Sequence, residues 1–217
     1  MTDRDASSFN PEDDVLDNLL VSPKAIAVEL VAGLVSEPRS IVEVGAFQGE
    51  LIEAFLERFA EAHGQWTDAG DSMLPVAKRR LERFGDRVTY VIGAAGRDLA
   101  DGSVPSETDV IVSSWVTAHR GAAAMDEFYR EAYSLVAPGG CLVVLDHARF
   151  DDPRWEQRVQ RVRQHFQPRP AGPPAHSGEP IITFDQHRQG LTDAGFTDPF
   201  VPWRSLDSAL FVAVRSS

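Results

Sequence analysis

The chain has 217 residues, with 33 acidic against 21 basic side chains and a formal net charge of −12. That balance argues against a nucleic-acid phosphate footprint and against docking on anionic membrane surfaces. A single cysteine forbids an intrachain disulfide, and no apolar run is long enough to span a bilayer, so the cytoplasm is the expected location.

Residues 1–14 are polar and acidic, and are expected to be disordered ahead of one domain over 15–217. Ser22-Pro23 reads as a helix cap with proline at the first helical position. Ile26, Leu30, Val31, Leu34 and Val35 give that helix an apolar stripe, and Glu37-Pro38 ends it. Ile41 to Val44 is a short β-branched run, the pattern of a buried strand. Gly45 and Gly49 follow, and Leu51, Ile52, Ala54, Phe55 and Phe59 then recur at helical spacing. Strand, glycine loop and helix N-terminus together let a backbone approach an anionic ligand group. The loop lacks the dinucleotide fingerprint: Phe47 and Glu50 stand where that motif needs its second and third glycines.

Residues 65–68 read as a second strand, and Met73, Leu74, Ala77 and Leu81 as a helix face. Arg87 to Ile92 is a third strand, and Asp109 to Ser114 a fourth. A helix is predicted over Met125 to Val136, then a sharp turn at Pro138-Gly139-Gly140 and a fifth strand over Cys141 to Leu145. Cys141, inside that apolar strand, reads as a small core residue. Trp155 to Phe166 is a charged helix. Residues 168–180, rich in Pro, Gly and Ala, read as a lid or surface loop. A helix over Thr183 to Ala194 is closed by Gly195, and two short strands follow at Phe200 to Trp203 and Ala209 to Val214. Strands alternating with helices imply a parallel sheet covered on both faces.

With these pieces in this order, the chain from Ile41 to Val214 resembles the class I S-adenosylmethionine (SAM)-dependent methyltransferases. The carriers are Glu43-x-Gly45-x-Phe47-x-Gly49, Asp68 with Met73-Leu74, the strand at Asp109 to Ser114, Pro138-Gly139-Gly140, and Ala194-Gly195-Phe196. The resemblance implies a Rossmann-like three-layer α/β sandwich. Its sheet would be mostly parallel and seven-stranded, with an antiparallel C-terminal hairpin. It also implies SAM as cofactor. Gly45, Ala46, Phe47 and Gly49 would form the cofactor loop, with Glu43 near the ammonium. Asp68 and Ala69 would lie at the ribose, Met73 at the adenine, Ala94 and Ala95 beyond the third strand, and Ser113 and Ser114 at the end of the fourth. Family members often carry an acidic residue where this chain has Ala94, and Asp98 is the nearest substitute.

Each assignment has a plainer reading beside it. Gly45 and Gly49 also suit a tight turn, Asp68 a helix cap, Met73 a core position. Trp115 is either a wall of the acceptor pocket or a packing residue. His119 and His147 follow the fourth and fifth strands on the ligand side and are the candidate general bases. Trp115, His147 and His176 on the lid are the candidate acceptor contacts. His63 precedes the second strand, at the wrong end of the sheet, and His165 and His187 lie on helices, so these three are set aside. Asp146 and His147 do not make the oxygen-ligand set of a metal-dependent mechanism, and none is expected. The predicted activity is methyl transfer to oxygen or nitrogen of a small molecule, with a homodimer as the candidate assembly. The alternatives are another reaction on the same scaffold, such as a cyclisation, and a non-catalytic partner subunit.

Overall fold

The computed structural model describes residues 22–93, 99, 102–116, 121–166 and 181–217. The acidic stretch 1–14, Ala94, Ala95, Asp98, His119 and the segment 168–180 with His176 lie outside the described residues.

The sheet is organised on β1 (Ser40–Val44), whose last four residues are all buried. Burial of successive residues means both faces of the strand are covered. β1 pairs in parallel with β2 (His63–Asp68) on one side and β4 (Thr108–Ser114) on the other. β3 (Val88–Ile92) continues the parallel sheet beyond β2, and β5 (Val136–His147) beyond β4. β6 (Thr197–Ser205) and β7 (Ser208–Val214) form an antiparallel hairpin, and β7 docks antiparallel against β5. The order is therefore β3-β2-β1-β4-β5-β7-β6. Connecting and flanking helices are α1 (Pro23–Leu34), α2 (Glu50–Arg58), α3 (Leu74–Leu81), α4 (Gly121–Leu135), α5 (Pro153–Phe166) and α6 (Phe184–Ala194). This is the fold the sequence led us to expect.

Alternation along each central strand divides the core between two faces. Ile41, Val110, Val112, Cys141 and Val143 pack with α1 and α2. Val42, Val44, Ile111, Leu142 and Val144 pack with α4 and α6. Glu43 and Ser114 continue the first set by the period of two, and Ser113 the second. That parity decides which side chains reach the site.

The caps formed as read. Ser22 accepts from the Lys24 N–H at 3.2 Å. Thr183 caps α6 in a reciprocal box with Gln186, an arrangement worth about 1 kcal/mol. Gly195 closes α6 at φ +108°. Of the predicted stripe on α1, Val31 and Val35 are buried and Ile26 and Leu30 pack partly buried against the core, while Leu34 is half exposed; Ala27 and Val28 are buried beside them. One expectation needed correction. Pro138-Gly139-Gly140 is not a turn ahead of β5 but lies within it. The register slips between Thr108 and Val110 opposite this stretch, so it forms an irregularity in a longer strand. The Gly139 N–H donates to the Arg215 carbonyl at 2.8 Å, and the Gly140 carbonyl accepts from the Arg215 N–H at 2.9 Å.

Candidate active site

Beyond Val44 the chain turns through Gly45 at φ +73°, Phe47 at +45° and Gly49 at +76°. A Cβ on Gly45 would lie 2.2 Å from Val116 Cγ2 and 2.7 Å from the Ser114 carbonyl, so no side chain fits. The N–H groups of Gly45 and Ala46 both donate to the Thr67 carbonyl, at 3.0 and 3.1 Å. Phe47 holds a left-handed conformation that costs a non-glycine residue about 1–2 kcal/mol. It is pinned from both sides. Its N–H donates to Asp68 Oδ2 at 2.9 Å, and its carbonyl accepts from the Trp66 indole at 3.0 Å. The loop is thus stitched to the end of β2, and this brings Asp68 beside it.

A cavity of about 790 Å³ opens over these strand ends. Glu43, Asp68, Ala69, Phe47, Ser114 and Trp115 are among its lining residues. Glu43 is buried and lies at the floor. It accepts from the Ile52 N–H in the first turn of α2 at 2.9 Å and from the Ser114 hydroxyl at 3.0 Å. Burial dominates its electrostatics and pushes the carboxyl up to about 8, against the opposing pull of those hydrogen bonds and of Lys24. Asp68 takes a second, longer bond from the Gly70 N–H at 3.3 Å, which closes a turn; it does not cap α3, whose N-cap is Met73. It also lines the cavity, so the two roles coexist.

On the far side, Trp115 follows β4 at φ +58° and is 47% exposed. Its N–H donates to the Leu145 carbonyl at 2.9 Å, which fixes it to the end of β5. The His147 ring lies 4.6 Å from the Trp115 ring, centroid to centroid. His147 Nδ1 is 3.4 Å from Ser208 Oγ and 4.0 Å from Asp207 Oδ2. Asp207 lies in the β6–β7 turn and Ser208 opens β7, so the C-terminal hairpin completes this side. The sequence reading did not single out Asp207. No local pattern marks it, and only the pairing of His147 with Ser208 brings it near.

Four candidates are not among the lining residues, and the first is Gly49, where an added Cβ would face Leu81 and Trp66. Ser113 is fully buried with no hydrogen-bond partner for its hydroxyl. It belongs to the α4–α6 face, while its neighbour Ser114 lines the cavity. Met73 precedes α3, half-buried and not among the lining residues. His147 is not a lining residue either, and reaches the cavity only through Trp115. His187, set aside on the sequence, is a buried core group. It meets the Tyr129 hydroxyl through Nδ1 at 2.6 Å and the His147 carbonyl through Nε2 at 3.2 Å, and it stacks on Phe211. Lys24 lines the cavity and was missed. In the sequence it reads only as a polar position just after a helix cap.

The cavity lies where the strand order reverses, between β1 and β4, at the carboxyl ends of a parallel sheet. That is the ligand crevice of doubly wound α/β domains. The crevice brings together a buried carboxylate, a second carboxylate on the adjacent strand and a turn without a side chain in the way. Residues 42–142 match the model of a family described as a methyltransferase domain. A trans-aconitate 2-methyltransferase from an Acidovorax strain is 30% identical over 58% of this chain and 46% of its own length. A ubiquinone/menaquinone biosynthesis C-methyltransferase from Cereibacter sphaeroides is 26% identical over 57% of this chain and 48% of its own. The chain thus spans about half the length of the curated relatives it matches. In fold it is similar to an O-methyltransferase family protein from Burkholderia thailandensis. The TM-score is 0.68 at 19% identity, over 93% of this chain and 59% of that one. Residues 42–142 thus match a methyltransferase domain, and the chain is similar in fold to class I SAM-dependent methyltransferases.

The residues present fit that family's cofactor. Glu43 offers a carboxylate for an ammonium, Asp68 one for a ribose diol, and the Gly45 turn offers backbone with no side chain in the way.

Proposed function

We propose that this chain transfers the methyl group of SAM to an oxygen or nitrogen of a small, partly apolar molecule. The observation that carries the reading is the pair Glu43 and Asp68, held at the ends of adjacent strands on either side of the Gly45–Gly49 turn. SAM supplies an electrophilic methyl on a cationic sulfur. The protein's share is mostly alignment of acceptor and methyl donor. Asp68 orients the ribose, and Glu43 holds the ammonium once it has given up its proton. Trp115 and Phe47, both about half exposed at the mouth, wall off water and leave room for a flat or apolar acceptor. The face of Trp115 also suits a sulfonium. His147, beside Trp115 and backed by Ser208 and Asp207, is the described candidate for taking a proton from a hydroxyl acceptor. The acidic balance of the chain supports a small molecule over a nucleic acid as acceptor.

The test is calorimetric titration with SAM and S-adenosylhomocysteine on the wild type and on Asp68→Ala. The expected result is micromolar binding, weakened tenfold or more by the substitution, as for a lost charge-assisted hydrogen bond. Absence of binding by folded wild-type protein refutes the proposal. Given binding, S-adenosylhomocysteine release across a panel of phenols, amines and carboxylic acids identifies the acceptor.

A further inference from the structure

Among the described residues lining the cavity, Lys24 carries the one positive charge, against Glu43, Glu50 and Asp68. Its position is unfavourable by local rules. It stands in the first turn of α1, where the helix dipole disfavours a cation, and no acidic residue shares that turn. Burial pulls its ammonium below the ordinary lysine range, with Arg80 adding to the effect and Glu43 and Glu53 opposing it. A residue that stands against local rules and lines a cavity is a candidate for function.

The contacts show how Lys24 is held and how it can be released. Its ammonium pairs with Glu50, and its side chain stays about one-third exposed. Glu50 has a second partner, Arg80, at 3.5 Å, and Arg80 is itself tied to Glu53 at 2.9 Å. Glu50 therefore stays paired if Lys24 leaves it. SAM carries one carboxylate, and among the described lining residues the Lys24 ammonium is the cation that can meet it.

We propose that Lys24 is a specificity residue for the cofactor: it exchanges Glu50 for the α-carboxylate of SAM, and so selects ligands that carry that carboxylate. The proposal rests on the SAM reading above. Its substance is that the first turn of α1, outside the strand–loop–helix unit, reads one functional group of the ligand.

The experiment is a titration of wild type, Lys24→Met and Lys24→Arg with three ligands. These are S-adenosylhomocysteine, its decarboxylated analogue and 5′-methylthioadenosine, which lacks the amino-acid tail. Lys24→Met is expected to weaken S-adenosylhomocysteine ten- to hundredfold, about 1.4–2.7 kcal/mol, as for a lost charge-assisted contact. It leaves the other two ligands within about threefold, because they offer no carboxylate to lose. Lys24→Arg keeps most of the affinity for S-adenosylhomocysteine. Equal weakening of all three ligands by Lys24→Met would assign Lys24 a structural role and overturn the proposal. Unchanged S-adenosylhomocysteine binding would overturn it too. If folded wild type binds S-adenosylhomocysteine and only the discrimination is missing, Lys24 alone is refuted. If wild type binds none of the three, the cofactor reading falls and this one with it.

Discussion

With Glu43 on the cofactor ammonium, as proposed above, binding and stability should respond in opposite directions as pH rises. The Glu43 carboxyl is raised from 4.5 to about 8, chiefly by burial. At pH 7 only about one Glu43 in ten is then ionised in the free protein. Pairing with the cofactor ammonium needs the carboxylate, so binding must expel that proton. S-adenosylhomocysteine affinity should rise by up to tenfold per pH unit from pH 6 and level off near pH 8. At pH 7 close to one proton should be released per ligand bound. Titration in buffers of different ionisation enthalpy measures both quantities. The same raised value sets the stability profile. Between pH 4.5 and 8 the folded chain holds a proton that the unfolded chain has lost, so stability falls across that window and is flat above it. At about 1.4 kcal/mol per pH unit the loss has a ceiling of about 5 kcal/mol. Glu43→Gln removes it. The amide oxygen still accepts from the Ile52 N–H, and the amide nitrogen faces the Ser114 hydroxyl. In urea titrations the variant should gain on the wild type steadily from pH 5 to 8, while its S-adenosylhomocysteine binding drops at least tenfold. A pH-independent affinity without proton release, together with a constant stability difference, would refute the reasoning.

Two further outcomes follow from the geometry. Gly45→Ala places a methyl against Val116 and the Ser114 carbonyl at a positive φ. It should cost about 2–4 kcal/mol in denaturant unfolding and abolish S-adenosylhomocysteine binding. Burial holds the His187 imidazole below its usual 6.5, with Asp146 and the His147 carbonyl opposing. The unfolded chain therefore takes up the proton first, and stability present above pH 6.5 is lost as pH falls. His187→Phe should flatten that acid limb in thermal melts. It should also cost about 2–4 kcal/mol at pH 8, because it cuts the bonds to Tyr129 and the His147 carbonyl.

Much of the molecule was legible before any coordinates, because much of it is local. The run Ile41 to Val44, the two glycines and the helical spacing after them are consecutive in the chain, and their physics is nearest-neighbour. The same holds for Ser22, Thr183 and Gly195, whose roles rest on bonds within four residues. The order of elements then restricted the sheet to few topologies, and the antiparallel C-terminal hairpin was expected from the family resemblance. Asp68 was legible because it stands at the predicted end of a strand.

Other features needed tertiary contact. Ser113 and Ser114 look alike in sequence, and the pleat of β4 turns one into the core and the other onto Glu43. Pro138-Gly139-Gly140 reads as a turn, but pairing of Gly139 and Gly140 with Arg215 keeps it inside β5. Lys24 meets Glu50 across 26 residues and His147 meets Ser208 across 61. No periodicity encodes such pairings. Glu43 is an ordinary strand glutamate by sequence, and only full enclosure raises its proton affinity. The sequence by itself determined which elements form, in what order, and that a glycine turn follows the first strand. The tertiary structure decided which side chains line the cavity over that turn and in what charge state, because burial and proximity of distant segments exist only once the layers have closed.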